Sequence, residues 1–370
     1  MGEGSRRAQR ADPVDAARRR MRILIVTDAW EPQVNGVVRT LQATIAELRA
    51  AGHEVGVISP DLFRSIPCPS YGEIRLAFAG RRAVGRRIRA FAPQAIHIST
   101  EGPLGLAARR WCLDKGFPFT TAYHTRFPEY VAARLPVSPA LVWRFIRWFH
   151  RPARHIMVAT RSLARELADR GLAQTMMWER GVDHALFRPD RAAHPAFDGL
   201  ARPIQLYVGR VAVEKNIGAF LDCDRPGTKV VVGDGPALAD LKARHPDALF
   251  LGKLGGETLA SAYAGADVFV FPSRTDTFGL VVIEALSCGT PVAAYPVPGP
   301  GDIVTDGAGA LDEDLGRAID RALACDRSDA AALGARYSWA GCTAQFARAL
   351  SFVPADSVSE TAIGTAGVAA

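Results

Sequence analysis

The stretch from Pro272 to Pro291 constrains this chain more than any other: Pro-Ser-Arg-Thr-Asp-Thr-Phe-Gly-Leu-Val-Val-Ile-Glu-Ala-Leu-Ser-Cys-Gly-Thr-Pro. Ahead of it runs Ala266-Asp-Val-Phe-Val-Phe271, a short apolar segment rich in β-branched and aromatic residues. It reads as a buried parallel strand. Behind it, from Phe278 or Gly279, the run Leu-Val-Val-Ile-Glu-Ala-Leu reads as a helix ending near Gly289, with Pro291 blocking continuation. Asp276 therefore falls on a strand-to-helix loop, and Glu284 on the helix that follows.

Such a loop offers free backbone N–H groups and the positive end of a helix at the carboxyl edge of a parallel sheet, where phosphate-bearing ligands bind. A carboxylate in the loop can accept hydrogen bonds from sugar hydroxyls, and one a turn into the helix can grip a second diol. Asp-x7-Glu is thus the spacing a nucleotide-sugar site needs, although two unrelated surface acids also produce it. The whole string decides between them. Ser273 to Pro291 closely resembles the donor-site signature of glycosyltransferase family 4, retaining enzymes of the GT-B fold. The family usually places Glu at both ends of the spacing; Asp276 is shorter, which bears on its reach to the donor sugar.

A chain of 370 residues, 48% of them hydrophobic, can bury the cores of two domains. No run of eighteen apolar residues occurs, which excludes a transmembrane helix. The first twenty residues carry Arg6, Arg7, Arg10 and Arg18 to Arg20 without an apolar stretch, so they read as a disordered basic tail and not a signal peptide. Glu3, Asp12 and Asp15 disfavour a transit peptide. The six cysteines are scattered with no Cys-x-x-Cys pair, as in a reducing cytoplasm, and argue against a metal site. A net charge of +7 invites an anionic partner. No nucleic-acid motif is present; an anionic membrane face or a nucleotide diphosphate suits the charge.

Met21 to Thr27 reads as the first buried strand, and Val37 to Ala51 as a helix with a stripe of Val37, Leu41, Ile45 and Leu48. The loop between them lacks Gly-x-Gly-x-x-Gly, which demotes a dinucleotide-binding oxidoreductase. Gly36 stands at the helix start, where a residue without Cβ lets a ligand approach the backbone; by resemblance it faces the donor diphosphate. Glu54 to Ser59, Ala95 to Thr100 and Phe117 to Tyr123 are further strands, so the sheet is parallel with right-handed crossovers. The last of them delivers His124, and Tyr123 to Tyr130 resembles the family's histidine loop, in which the histidine contacts the transferred sugar.

Pro139 to Arg151 reads as a helix with Val142, Phe145, Ile146 and Phe149 on one face and Arg144, Arg147 and Arg151 on the other. No acid occurs from Val131 through Arg165. An ordinary core-packed helix with a solvated basic face would look this way. So would a membrane-docking helix, with Trp143 and Trp148 at the interface and Arg81, Arg82, Arg86, Arg87 and Arg89 adding charge. His155 to Thr160 reads as the last strand of the first domain, and Trp178 to Asp183 resembles the family's domain junction. Arg188 to Pro203 reads as linker before Ile204 to Val208 opens a second set of alternating elements. That strand leads into Gly209-Arg-Val-Ala-Val-Glu-Lys-Asn216, which resembles the family's diphosphate clamp; Arg210 offers a bidentate fork and Lys215 a point charge. Thr228 to Pro236, Ala248 to Leu254 and Glu257 to Ala264 continue the alternation.

The expected fold is α/β, a GT-B arrangement of two facing Rossmann-like parallel-sheet domains with a cleft between them. Residues 21–187 form the acceptor-side domain and residues 203–335 the nucleotide-sugar domain. A closing helix at 336–354 packs across the two, and residues 355–370 are a disordered tail. The resemblance implies a retaining hexosyltransferase that uses a nucleotide-diphosphate sugar, with no metal and no cofactor. Arg210 and Lys215 would neutralise the leaving diphosphate. Glu284 would grip the ribose, and Asp276 with the amides of Phe278, Gly279 and Leu280 would hold the sugar. His124, Arg210, Lys215 and Asp276 form the expected catalytic set. Asp222 and Asp224 read as a solvated turn and not a metal site. Arg144, Arg147, Trp148 and Arg151 would dock the chain peripherally on the inner face of the plasma membrane, toward a lipid acceptor such as diacylglycerol. A GDP-mannose-dependent α-mannosyltransferase acting on a saccharide or polyprenyl-linked acceptor is the alternative, and a nucleotide-sugar epimerase a further one.

Overall fold

Strand runs and helical stripes alternate along the chain, and in the computed structural model they build two parallel sheets. The structure describes residues 20–33, 35–68, 71–124 and 138–353. The expected tails and the Thr125 to Tyr130 part of the histidine loop lie outside the described residues. The first sheet runs, edge to edge, Glu54–Ile58, Arg22–Val26, Ala95–Ile98, Phe119–Ala122, Ile156–Val158 and Thr175–Met177. The second runs Leu249–Gly252, Thr228–Val232, Ile204–Val208, Val268–Phe271, Val292–Ala294 and Gly309–Leu311. Every pairing within either sheet is parallel.

The topology fixes where a ligand can sit. In the second sheet the chain winds outward from Ile204–Val208 on one side, then returns to lay Val268–Phe271 against its other flank. The order therefore reverses between these two strands, and their carboxyl ends splay apart around a crevice. The residues leaving that crevice are Gly209 to Asn216 on one strand and Pro272 to Gly279 on the other. In the first sheet the reversal falls between Arg22–Val26 and Ala95–Ile98, with His124 just past the next strand.

Both sheets are covered on two faces. Phe269 and Phe271 pack with Tyr263, Val282, Ile283 and Leu286 on one side, while Val268 and Val270 meet Phe220, Ala318 and Ile319 on the other. Strands buried on both faces need the continuous apolar runs seen in the sequence. The helix Gly36–Ala50 starts where the Asn35 side chain accepts from the amides of Val37 and Val38, both at 3.0 Å. Leu280–Ser287 is almost wholly buried and stops ahead of Pro291.

Several expectations need correction. Ser65–Cys68 and Tyr71–Ala77 form an antiparallel pair outside the main sheet, which the parallel reading did not anticipate. Ile156–Val158 is not the last strand of its sheet, because Thr175–Met177 pairs beyond it as the edge. That edge strand is three residues long and half-buried, too short to show a period. The stretch taken as linker, Arg188 to Pro203, contains a turn of 3₁₀ helix at Pro195–Phe197, and Phe197 is buried in the core of the second sheet. After the second sheet the chain returns. Trp339–Ala349 lays Cys342, Phe346 and Ala349 against Ile23, Ile25, Leu41 and Ile45 of the first.

Candidate active site

The loops at the carboxyl edges of the two sheets meet. The Thr277 hydroxyl donates to the His124 carbonyl at 2.7 Å, and the Ser162 amide donates to Asp302 Oδ1 at 2.9 Å. A Cβ on Gly36 would stand 3.4 Å from Leu280 Cδ1, so the first helix of one domain starts against the donor-loop helix of the other. Arg39, one turn into that first helix, reaches Glu284 Oε1 with Nη2 at 2.6 Å.

Two of the expected donor residues pair directly. Lys215 Nζ lies 2.5 Å from Asp276 Oδ1, both side chains about three-quarters buried. Asn216 adopts the left-handed conformation at φ +54 and donates through Nδ2 to the Pro272 carbonyl at 3.1 Å, which ties the two crevice loops together. Arg210 is exposed, and its carbonyl accepts from the Tyr207 hydroxyl at 2.9 Å. Phe278 is buried edge-on to Tyr337, with ring centroids 6.0 Å apart. Gly279 has φ +91 and caps the helix Leu280–Ser287, its carbonyl accepting from the Val282 amide at 3.0 Å. Glu284 is buried, its second oxygen accepting from the Tyr263 hydroxyl at 3.1 Å. Burial lowers the Arg39 pKa, and the charge and hydrogen bond of Glu284 more than offset it, so the guanidinium ends raised.

His124 sits opposite, buried and edge-on to Trp178 at 5.3 Å. Burial, then the nearby Arg180, His97 and His150, hold its pKa well below the usual value, so the ring is neutral. Among the described residues no group of three or more metal-ligating side chains converges. Asp222 is exposed and lies 3.6 Å from His245 Nε2.

The helix Pro139–His150 divides its aromatic residues differently from the membrane reading. Trp143 is buried with Val142, Ile146, Phe149 and His150, under the Arg170 guanidinium at 3.8 Å. It belongs to the core. Trp148 is 51% exposed beside exposed Arg144, Arg147 and Arg151, while Arg109 stacks on its ring at 3.9 Å.

Sequence reasoning missed Arg39, Arg180, Tyr263 and Gly299. Gly299, at φ +96, backs the donor loop: a Cβ there would stand 3.2 Å from the carbonyls of Asp276 and Phe278. One signal for Arg39 was available. A cation in a helix's first turn opposes the macrodipole, which suggests a specific acidic partner.

Residues 34–186 match the profile described as Glycosyltransferase Family 4, and residues 202–333 that described as Glycosyl transferases group 1. A GDP-mannose-dependent alpha-mannosyltransferase of Mycobacterium tuberculosis is 30% identical over 309 residues, 77% of this chain and 82% of that protein. Sulfoquinovosyl transferase SQD2 of Arabidopsis thaliana is 32% identical over 324 residues, 80% of this chain and 63% of that protein. An alpha-monoglucosyldiacylglycerol synthase of Streptococcus pneumoniae is 28% identical over 347 residues, 82% of this chain and 78% of that protein. Among solved structures, sucrose-phosphate synthase from Thermosynechococcus elongatus superposes with a TM-score of 0.70 at 23% identity, covering 89% of this chain and 98% of that one. With two doubly wound sheets facing across a crevice and matching profiles on both, the chain belongs to glycosyltransferase family 4.

Proposed function

We propose that this glycosyltransferase moves a hexose from a nucleotide-diphosphate sugar, with a UDP-linked hexose or hexuronic acid favoured, to a lipid acceptor such as diacylglycerol, forming an α-glycolipid. The observation that carries the donor half is the Lys215–Asp276 pair at the reversal point of the second sheet, with Arg210 on the loop leaving one strand and Glu284 on the helix that follows the other. There Lys215 and Arg210 meet the diphosphate, Glu284 the ribose, and Asp276 with the amides of Phe278, Gly279 and Leu280 the sugar. The bond from the sugar C1 to the β-phosphate oxygen breaks as the bond from C1 to the acceptor oxygen forms. The acceptor's proton passes to the departing phosphate, whose growing charge the two cations stabilise. Retention of the α configuration without a metal ion is part of the proposal. The acceptor half rests on the exposed Arg144, Arg147, Trp148 and Arg151, which suit a peripheral membrane face, and on similarity to an alpha-monoglucosyldiacylglycerol synthase.

A GDP-mannose-dependent α-mannosyltransferase is the second reading, supported by the relative from Mycobacterium tuberculosis. One experiment separates the two. Lipids extracted from a host expressing the chain are compared by mass with those from a host without it. A new hexosyl- or hexuronosyl-diacylglycerol supports the first reading. An unchanged lipid profile, with turnover of GDP-mannose onto a soluble saccharide, supports the second.

A further inference from the structure

Arg180 belongs to the junction segment and is buried at 7% exposure. Its Nη1 donates to the carbonyls of Trp178 at 2.5 Å and Glu179 at 2.9 Å, which pins the guanidinium in one orientation. Nη2 then lies 3.1 Å from His124 Nδ1. A guanidinium carries only donors, so the histidine nitrogen it faces must be the one with the lone pair. The proton of the neutral ring therefore sits on Nε2. That atom is buried and has no partner among the described residues, although a buried donor left unsatisfied is costly.

We propose that Arg180 is a positioning residue: it holds His124 as the Nε2–H tautomer, making the histidine a hydrogen-bond donor to an oxygen of the transferred sugar and not a base.

A base at this place needs a free lone pair directed at the substrate, and the ring's lone pair is occupied by Arg180. The other groups around the ring act in the same sense. His97 faces it with Nδ1 engaged to Thr120 Oγ1 at 2.9 Å. His150 is held by Thr121 Oγ1 at 2.9 Å and by Glu101 Oε1 at 3.1 Å. Charge on Arg180, and any on the two histidines, opposes a second proton on His124. Arg180 also bears on the donor loop: its guanidinium carbon lies 6.0 Å from the Phe278 ring, and Thr277 grips the His124 carbonyl. The ring is thus oriented by its own domain and spaced by the other. The sugar as recipient rests on the transferase reading above; the tautomer rests on the protein alone.

The test uses the full chain labelled with ¹⁵N in its histidine rings and two-bond ¹H–¹⁵N correlation spectra, with His124 identified by its loss in His124→Gln. The expected wild-type pattern is a protonated Nε2 and an unprotonated Nδ1, unchanged from pH 7.5 to 5.5. Arg180→Met should mix the tautomers and lower kcat on UDP-glucose or GDP-mannose about tenfold or more, while burial keeps the ring neutral. Arg180→Lys, which keeps a donor, should restore the tautomer and part of the rate. A proton on Nδ1 or a doubly protonated ring in the wild type at pH 7 overturns the proposal, and that spectrum needs no variant to fold. An unchanged tautomer and kcat in Arg180→Met also overturns it. The expected tautomer with no turnover of any nucleotide sugar would instead support the positioning role and sink the transferase reading.

Discussion

In the proposed donor site Lys215 and Glu284 each hold a protein partner: Asp276 at 2.5 Å and Arg39 at 2.6 Å. Donor binding must share or exchange these contacts, so the four side chains form one electrostatic set. A charged contact is worth ~1.5–3 kcal/mol, and each 1.36 kcal/mol changes a rate tenfold. Lys215→Ala should therefore lower the transfer rate at least tenfold, and near-normal turnover would remove Lys215 from the diphosphate. The two acids separate by calorimetry. Glu284→Ala should weaken binding of free UDP or GDP, because the ribose loses its grip. Asp276→Ala should not weaken that affinity while transfer falls, because it frees Lys215 for the diphosphate and removes the carboxylate assigned to the sugar. The reverse pattern would exchange the two roles.

Among the elements, the helix Pro139–His150 joins a structural face to an exposed basic one. Each basic residue near an anionic leaflet contributes about 1 kcal/mol, so replacing Arg144, Arg147 and Arg151 by Gln should weaken binding to anionic vesicles about a hundredfold. Wild-type binding should fall as salt rises, since screening acts over about 8 Å at physiological ionic strength. Co-sedimentation with vesicles of graded anionic content checks both, and equal, negligible binding to all of them would move the acceptor into solution. Donor hydrolysis should survive the triple change. The tryptophans provide an internal control: Trp143→Ala opens a core cavity at a cost of about 3–5 kcal/mol, whereas Trp148→Ala should cost only the Arg109 stack, about 0.5–1 kcal/mol.

At the scale of the molecule, closure of the chain on itself is tied to a buried histidine. His97 is fully buried in the first sheet, edge-on to Trp178 at 5.6 Å and to Phe346 of the returning helix at 4.9 Å. Burial pushes its pKa down to about 3. The unfolded chain takes up this proton near pH 6.5, and the folded chain refuses it until about 3. Stability contributed this way is whole above about pH 6.5 and is lost as pH falls through that window, by about 1.4 kcal/mol per pH unit. His124, lowered well below its usual value, acts in the same direction. Urea unfolding at pH 7, 6 and 5 should show the loss, and His97→Phe should flatten its slope by about that amount. An unaltered slope would mean that His97 titrates normally.

The sequence by itself determined whatever is set within a few residues. The run Val268–Phe271 and the helix Leu280–Ser287 follow from local apolar pattern, the Gly279 turn and the Pro291 stop. The positions of Arg210, Lys215 and Asp276 on loops leaving strand ends, and of Glu284 on the helix that follows, were legible for the same reason. Their roles came from the resemblance of whole motifs and not from spacing. Tertiary structure alone decided the rest. Arg39 meets Glu284 across 245 residues only once the two sheets have taken their places, and Arg180 meets His124 across 56 only once the strands of the first sheet have paired. The helix pattern of Pro139–His150 could not separate Trp143 from Trp148, since both border the apolar stripe and burial depends on what packs alongside. Local sequence encodes backbone preference and amphipathic period over a turn or two. Partner and exposure are properties of surfaces brought together from distant parts of the chain, and no window of residues contains both sides of such a contact.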